Sequence, residues 1–165
     1  MTMMRAIGAL GCLLVLGCDN NVGANQANQA SEPAPVYQVR SEDAAMNGAK
    51  ARAVAALPQF YARLARPAPD ETEFVIKFDI VPGDEAEFVW AAELDRRAVP
   101  MTGVLINQPV QTRHRMGQRV PIPEAAIIDW MYRKGRVMQG GFTNRVLLEH
   151  MPADEARSLR DYLGW

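Results

Sequence analysis

Between Met46 and Leu64 the apolar residues Met46, Ala49, Ala53, Leu57, Phe60 and Leu64 recur at intervals of three and four. That period lays one apolar stripe along a helix. Ser41-Glu42-Asp43 offers an N-cap followed by acids, which meet the positive end of the helix dipole. Pro58 removes a backbone donor and crowds the preceding turn, so it kinks or divides the helix, and Pro67 and Pro69 close the segment. The period then falls to two. Phe74, Ile76, Phe78 and Ile80 share one face of a strand, with Glu73, Lys77 and Asp79 pointing the other way. Pro82-Gly83-Asp84 turns the chain. Phe88, Trp90, Ala92 and Leu94 repeat the pattern with Glu87 and Glu93 outward, which predicts an antiparallel hairpin. Thr102 to Ile106 and Arg119 to Ile122 are shorter strands, and Pro121 places the latter at a sheet edge. Asn107 to Gly117 is a polar, basic loop between them.

The densest local signal is IIDWMYRKGRVMQGGF, from Ile127 to Phe142. It reads as a hairpin with Lys134-Gly135 as a two-residue turn, so that Arg133 faces Arg136, Tyr132 faces Val137, Met131 faces Met138 and Asp129 faces Gly140. Ile128, Trp130 and Tyr132 form one face; Ile127, Asp129 and Met131 form the other. Thr143 then caps a helix whose inner face uses Val146, Leu147 and His150. Pro152 with Asp154-Glu155 starts a last helix that Gly164 ends. Strands gathered in the middle with helices at both ends predict an α+β fold: an N-terminal helix, a central antiparallel sheet of about five or six strands, and C-terminal helices.

The first residues are read differently. Arg5 precedes an almost wholly apolar run from Ala6 to Leu16, too short to span a bilayer and suited to the core of a signal peptide. The run ends in Val15-Leu16-Gly17-Cys18, which resembles the lipobox of bacterial lipoproteins. That resemblance implies cleavage after Gly17 and lipidation of Cys18. Residues 1–17 are then a signal peptide. Residues 18–40, rich in Asn, Gln, Ala and Pro, form a tether, and residues 41–165 form a single domain. Asp19 after the lipidated cysteine resembles an inner-membrane retention signal. The expected address is the cell envelope, anchored by lipid and facing the periplasm, with the inner membrane favoured by Asp19.

Composition narrows the chemistry. With 48% hydrophobic and 22% charged residues the chain is that of a foldable globular protein. A formal net charge of -1 argues against nucleic acid as a partner. The two cysteines are Cys12 and Cys18, so the domain itself has no thiol or disulfide chemistry. His114 and His150 lack the spacing of metal ligands, and no metal or cofactor is expected. No serine sits in a Gly-x-Ser-x-Gly turn, and no phosphate-binding loop is present. Charge is uneven. Acids crowd Asp70 to Asp95 and bases crowd Arg96 to Arg145, a distribution read first as cross-strand pairing on a solvated sheet.

Asp129 stands out, because a carboxylate between Ile127 and Met131 on a half-buried strand needs partners. The first reading is that it accepts hydrogen bonds from the Gly140–Thr143 turn, or pairs with Arg136 or Arg145, and fixes the corner. The second is that the hollow over Gly140 receives a ligand. Trp130, Tyr132, Arg133, Lys134, Arg136, Gly140, Gly141 and Thr143 complete the structural or binding candidates; catalytic residues cannot be assigned. The expected function is non-enzymatic binding of an envelope protein or a small ligand. The alternatives are a hydrolase-like enzyme pairing Asp129 with Glu124 or Glu87, and a purely structural envelope protein.

The segments Leu57-Pro58-Gln59-Phe60, Phe74-Val75-Ile76-Lys77, Glu87-Phe88-Val89-Trp90 and Gly103-Val104-Leu105-Ile106-Asn107-Gln108-Pro109, in that order, resemble the YegJ-like bacterial family. So do Ile128-Asp129-Trp130-Met131-Tyr132 and Gly140-Gly141-Phe142-Thr143. The chain departs from the family at Phe88, where a histidine is expected. The resemblance implies a domain of unknown function, often exported or lipid-anchored, and brings no catalytic residues with it.

Overall fold

The computed structural model describes residues 43–81 and 86–165. The signal peptide, Cys18, the tether and the tip of the first hairpin lie outside the described residues. Helix α1 (Ala44–Ala55) starts at Asp43, whose carboxylate accepts a hydrogen bond from the Met46 amide at 2.9 Å. A second helix, α2 (Leu57–Ala65), follows after a break at Ala56, with Pro58 in its first turn, where a missing N–H costs nothing. Strands β1 (Glu71–Asp79), β2 (Phe88–Asp95), β3 (Met101–Leu105) and β4 (Arg119–Ile122) come next, and then β5 (Ile127–Lys134) and β6 (Val137–Gly140). Helices α3 (Phe142–His150) and α4 (Ala153–Leu163) end the chain, and Gly164 closes α4. The six strands form one antiparallel sheet in the order β4-β3-β2-β1-β5-β6. This is the α+β architecture the periodicities predict, with Pro121 on edge strand β4. No helix among the described residues is long and apolar enough to cross a membrane.

The main core lies on one face of the sheet. Leu57 and Phe60 of α2 pack against Ile76, Phe78, Val89, Ala91, Ile127 and Trp130. The other face is half covered: Val75, Met131 and Met138 meet Leu163 of α4, with Trp90, Ala92 and Trp165 at the margin. Three expectations about the strands need correction, and on α3 the residues turned inward are Val146 and Leu148, with His150 exposed. On β2 the residues facing the main core are Val89 and Ala91, paired with Phe78 and Ile76, while Phe88 and Trp90 face the other side. Both sets are apolar, so alternation alone could not choose between them. Leu94 does reach the main core, because an irregularity between Ala92 and Asp95, with Glu93 at φ 47°, reverses the alternation.

The turn of the β5–β6 hairpin lies one residue further along than predicted, which shifts every cross-strand partner by two. Lys134 pairs with Val137 and Met131 with Gly140, so the turn is Gly135-Arg136 rather than Lys134-Gly135. Gly135 takes the first turn position, at φ 58°, a conformation lysine would adopt only with strain. On β5 a bulge between the Lys77–Asp129 and Phe78–Ile127 pairs turns Ile127 into the main core beside Trp130, away from the face of Asp129 and Met131.

Gly140 ends β6 at φ 80°, and a Cβ there would collide with the Trp130 carbonyl oxygen. Gly140→Ala is therefore expected to lower the unfolding free energy by about 2 kcal/mol or more, from the left-handed backbone together with the clash. Urea unfolding of the variant measures it. An unchanged midpoint would mean that β6 moves away without cost.

Candidate functional site

Among the described residues, two places that combine polar chemistry with burial lie on opposite faces of β5. On the α4 side is the corner where β5, β1 and α3 meet. Asp129 is fully buried, and its two oxygens accept four hydrogen bonds. Oδ1 receives the amides of Trp130 (2.8 Å) and Phe142 (3.1 Å); Oδ2 receives the Thr143 amide (2.7 Å) and hydroxyl (2.6 Å). The helix N-terminus would otherwise leave those amides without partners, so a strand carboxylate caps α3. Thr143 is therefore not the N-cap. That position is Gly141, at φ 66°, and the Thr143 side chain is turned inward to Asp129. Neither Arg136 nor Arg145 forms an ion pair with Asp129 among the described residues.

The cation beside Asp129 is Lys77, its cross-strand neighbour on β1. Lys77 Nζ donates to Thr143 Oγ1 at 3.4 Å, so the hydroxyl links ammonium to carboxylate. Nζ also lies 5.6 Å from the centre of the Trp90 ring. Burial lowers the lysine's pKa; Asp129 opposes that shift and Lys50 adds to it. Burial likewise raises the pKa of the Asp129 carboxyl, against the pull of Thr143, the Trp130 amide and Lys77. Nothing local to Lys77 marks it as part of this corner, since strand alternation makes it an outward charge. Its face of the sheet is closed by α4 and the start of α3, whose docking leaves no periodic signal around residue 77.

The raised carboxyl value has a measurable sign. The folded domain holds this proton more tightly than the unfolded chain does. The resulting stability is fully present below the ordinary value of 3.8 and is lost as pH rises through the raised one. Asp129→Asn cannot titrate there. The stability of the wild type minus that of the variant is therefore expected to shrink as pH climbs through this interval. A difference that grows instead would mean that the four donors outweigh burial.

On the opposite face, α2 and β5 border a half-open cavity of about 500 Å³ lined by Gln59, Phe60, Ala62, Arg63, Arg66, Trp130 and Tyr132. Its floor is aromatic. Phe60 lies 5.2 Å from Trp130, Tyr132 stacks on Phe74 at 5.1 Å, and Trp130 and Tyr132 are nearly parallel at 6.1 Å. The Trp130 indole N–H is held by the Ala53 carbonyl at 2.9 Å. Below the rim, Glu71 is buried with its side chain fully covered. Its Oε2 accepts the Ala68 amide at 3.0 Å, and its Oε1 has no hydrogen bond, lying 3.7 Å from Arg63 and 3.9 Å from Lys134.

The candidates from the sequence are thus divided between two sites. Asp129, Gly140, Gly141 and Thr143 belong to the corner; Trp130 and Tyr132 belong to the cavity. The basic residues of the β5–β6 turn do not form one patch. Arg133 pairs with Glu73 at 2.9 Å, Lys134 turns to Glu71 on the cavity side, and Arg136 is exposed in the turn. Glu87 holds the loop after β3 by accepting the Val110 and Gln111 amides, and Glu124 sits in the short 3-10 turn before β5. Neither supplies a second carboxylate to the hydrogen bonds of Asp129. Gln59, Arg63 and Arg66 were missed, since a polar helix face reads as solvated. No group of three or more His, Cys, Asp or Glu able to hold a metal occurs among the described residues.

Fold and site together define a small α+β domain with a strand carboxylate clamped to a helix start and an aromatic hollow behind it. Over residues 43–165 the chain matches the family described as uncharacterized protein conserved in bacteria, DUF2314, and it belongs to that family. It is 33% identical over 92 residues to the uncharacterized protein YegJ of Escherichia coli (strain K12), an alignment covering 55% of this chain and 60% of that relative. No solved structure matches the chain.

Proposed function

We propose that this protein is an exported lipoprotein, acylated at Cys18 and facing the periplasm, whose domain binds a small ligand and performs no reaction on it. The cavity over Trp130 and Tyr132 carries the binding reading. Its volume suits a small organic ligand, and apolar ring faces with a few convergent polar groups are what such sites present. The Asp129 corner serves as its support: the carboxylate that caps α3 belongs to the strand whose next residue, Trp130, forms the cavity floor.

Two measurements test the two halves of this reading. Mass spectrometry of the membrane-extracted protein is expected to find a chain starting at Cys18 with a diacylglyceryl mass, absent from Cys18→Ala; an unacylated chain removes the anchor. A screen of small organic fragments by nuclear magnetic resonance is expected to yield binders that move the Trp130 indole signal. Binders that move other signals and leave Trp130 in place would remove the cavity as the site.

A further inference from the structure

We infer that the cavity selects ligands carrying a carboxylate on a flat apolar body, gripped by Arg63 and Arg66; this rests on the binding reading above. Gln59 and Arg63 stand one turn apart on α2 and Arg66 is the residue that ends it; the three rim the opening while Ala62 leaves it unobstructed. The polar rim stands over the half-buried Tyr132 and the margin of Trp130, with Phe60 buried beneath. The two charged residues of the lining, Arg63 and Arg66, are both cationic.

The state of Arg63 gives the chemistry. Its guanidinium lies at ion-pair distance from Glu71, but Glu71 Oε1 has no hydrogen bond, so the fork is attracted inward while its donors remain unengaged by that carboxylate. Arg66 has no ion-pair partner among the described residues. A guanidinium fork matches a carboxylate with two parallel hydrogen bonds, and two such groups above ring faces specify an anionic head and a planar body. Glu71, buried behind Arg63 and shared with Lys134, acts as a positioning residue that keeps Arg63 over the opening.

The test uses the full chain in lipid nanodiscs with its three tryptophans labelled with nitrogen-15. Trp130 lines the cavity, whereas Trp90 and Trp165 pack on the other face of the sheet and serve as internal references. The probes are 2-naphthoate and its neutral analogue 2-naphthalenemethanol. Naphthoate is expected to shift the Trp130 indole signal and to bind about tenfold more tightly than the alcohol, as charge-assisted hydrogen bonds imply. In Arg63→Gln with Arg66→Gln that preference is expected to disappear, and a tenfold preference that persists there would overturn the assignment to these two residues. Equal affinity for both probes, unchanged in the double variant, would overturn the anion preference and leave the cavity as an apolar site. If neither probe moves Trp130, the cavity reading itself falls, and the anion preference with it.

Discussion

Asp129→Ala is expected to destabilise the domain by about 3–5 kcal/mol, the range for removing one partner from a buried charge pair. The loss has two parts. The amides of Phe142 and Thr143 at the start of α3 lose their acceptor, and Lys77 is left buried without its counter-charge. Adding Lys77→Met to the variant removes the second part, so the double variant is expected to recover some of the loss. Denaturant unfolding of the four proteins in this cycle separates the two contributions. A loss below about 1 kcal/mol for Asp129→Ala would show that water replaces the carboxylate at the corner.

Trp130→Ala is the other large effect, expected at about 3–5 kcal/mol for deleting a large aromatic side chain from a core. Trp130 is 6% exposed, contacts Phe60, Tyr132 and Phe142, and ties β5 to α1 through the Ala53 carbonyl. Trp130→Phe keeps most of the ring surface and gives up the indole hydrogen bond, so about 1 kcal/mol of the loss is expected to remain. Thermal and urea unfolding of both variants give the comparison. If phenylalanine cost as much as alanine, the hydrogen bond to α1, and not ring packing, would be what matters at this position.

The elements that could be read from the sequence were those whose burial is one-sided. The α1–α2 stripe of Met46, Ala49, Ala53, Leu57 and Phe60 keeps helical spacing throughout, and all five residues are buried. Strand β1 gave up Ile76 and Phe78 through its period of two. Where both faces of the sheet are covered the pattern loses meaning. Phe88 and Trp90 could not be told from Val89 and Ala91, and Lys77 passed as a surface charge. The corner was half legible. Asp129 in an apolar run announced a need for donors, and the nearby turn supplied them. Its cation came from a strand distant in sequence, which no local rule could supply. The cavity was least legible, because Arg63 and Arg66 acquire meaning only once β5 lies beneath α2.

The sheet order has a bearing on how the chain finds this structure. Strands β2, β3 and β4 follow one another as neighbours, so that half can zip up by short-range closure. The β1–β5 pairing cannot, because the whole β2–β4 meander lies between its partners in the chain. Lys77 and Thr143, joined at the corner, stand 66 positions apart. Closing so long a loop is an entropic barrier that the local hairpins do not share. The search for the β1–β5 register is the natural slow step of folding, and both the Asp129 corner and the floor of the cavity come into being only when it is over.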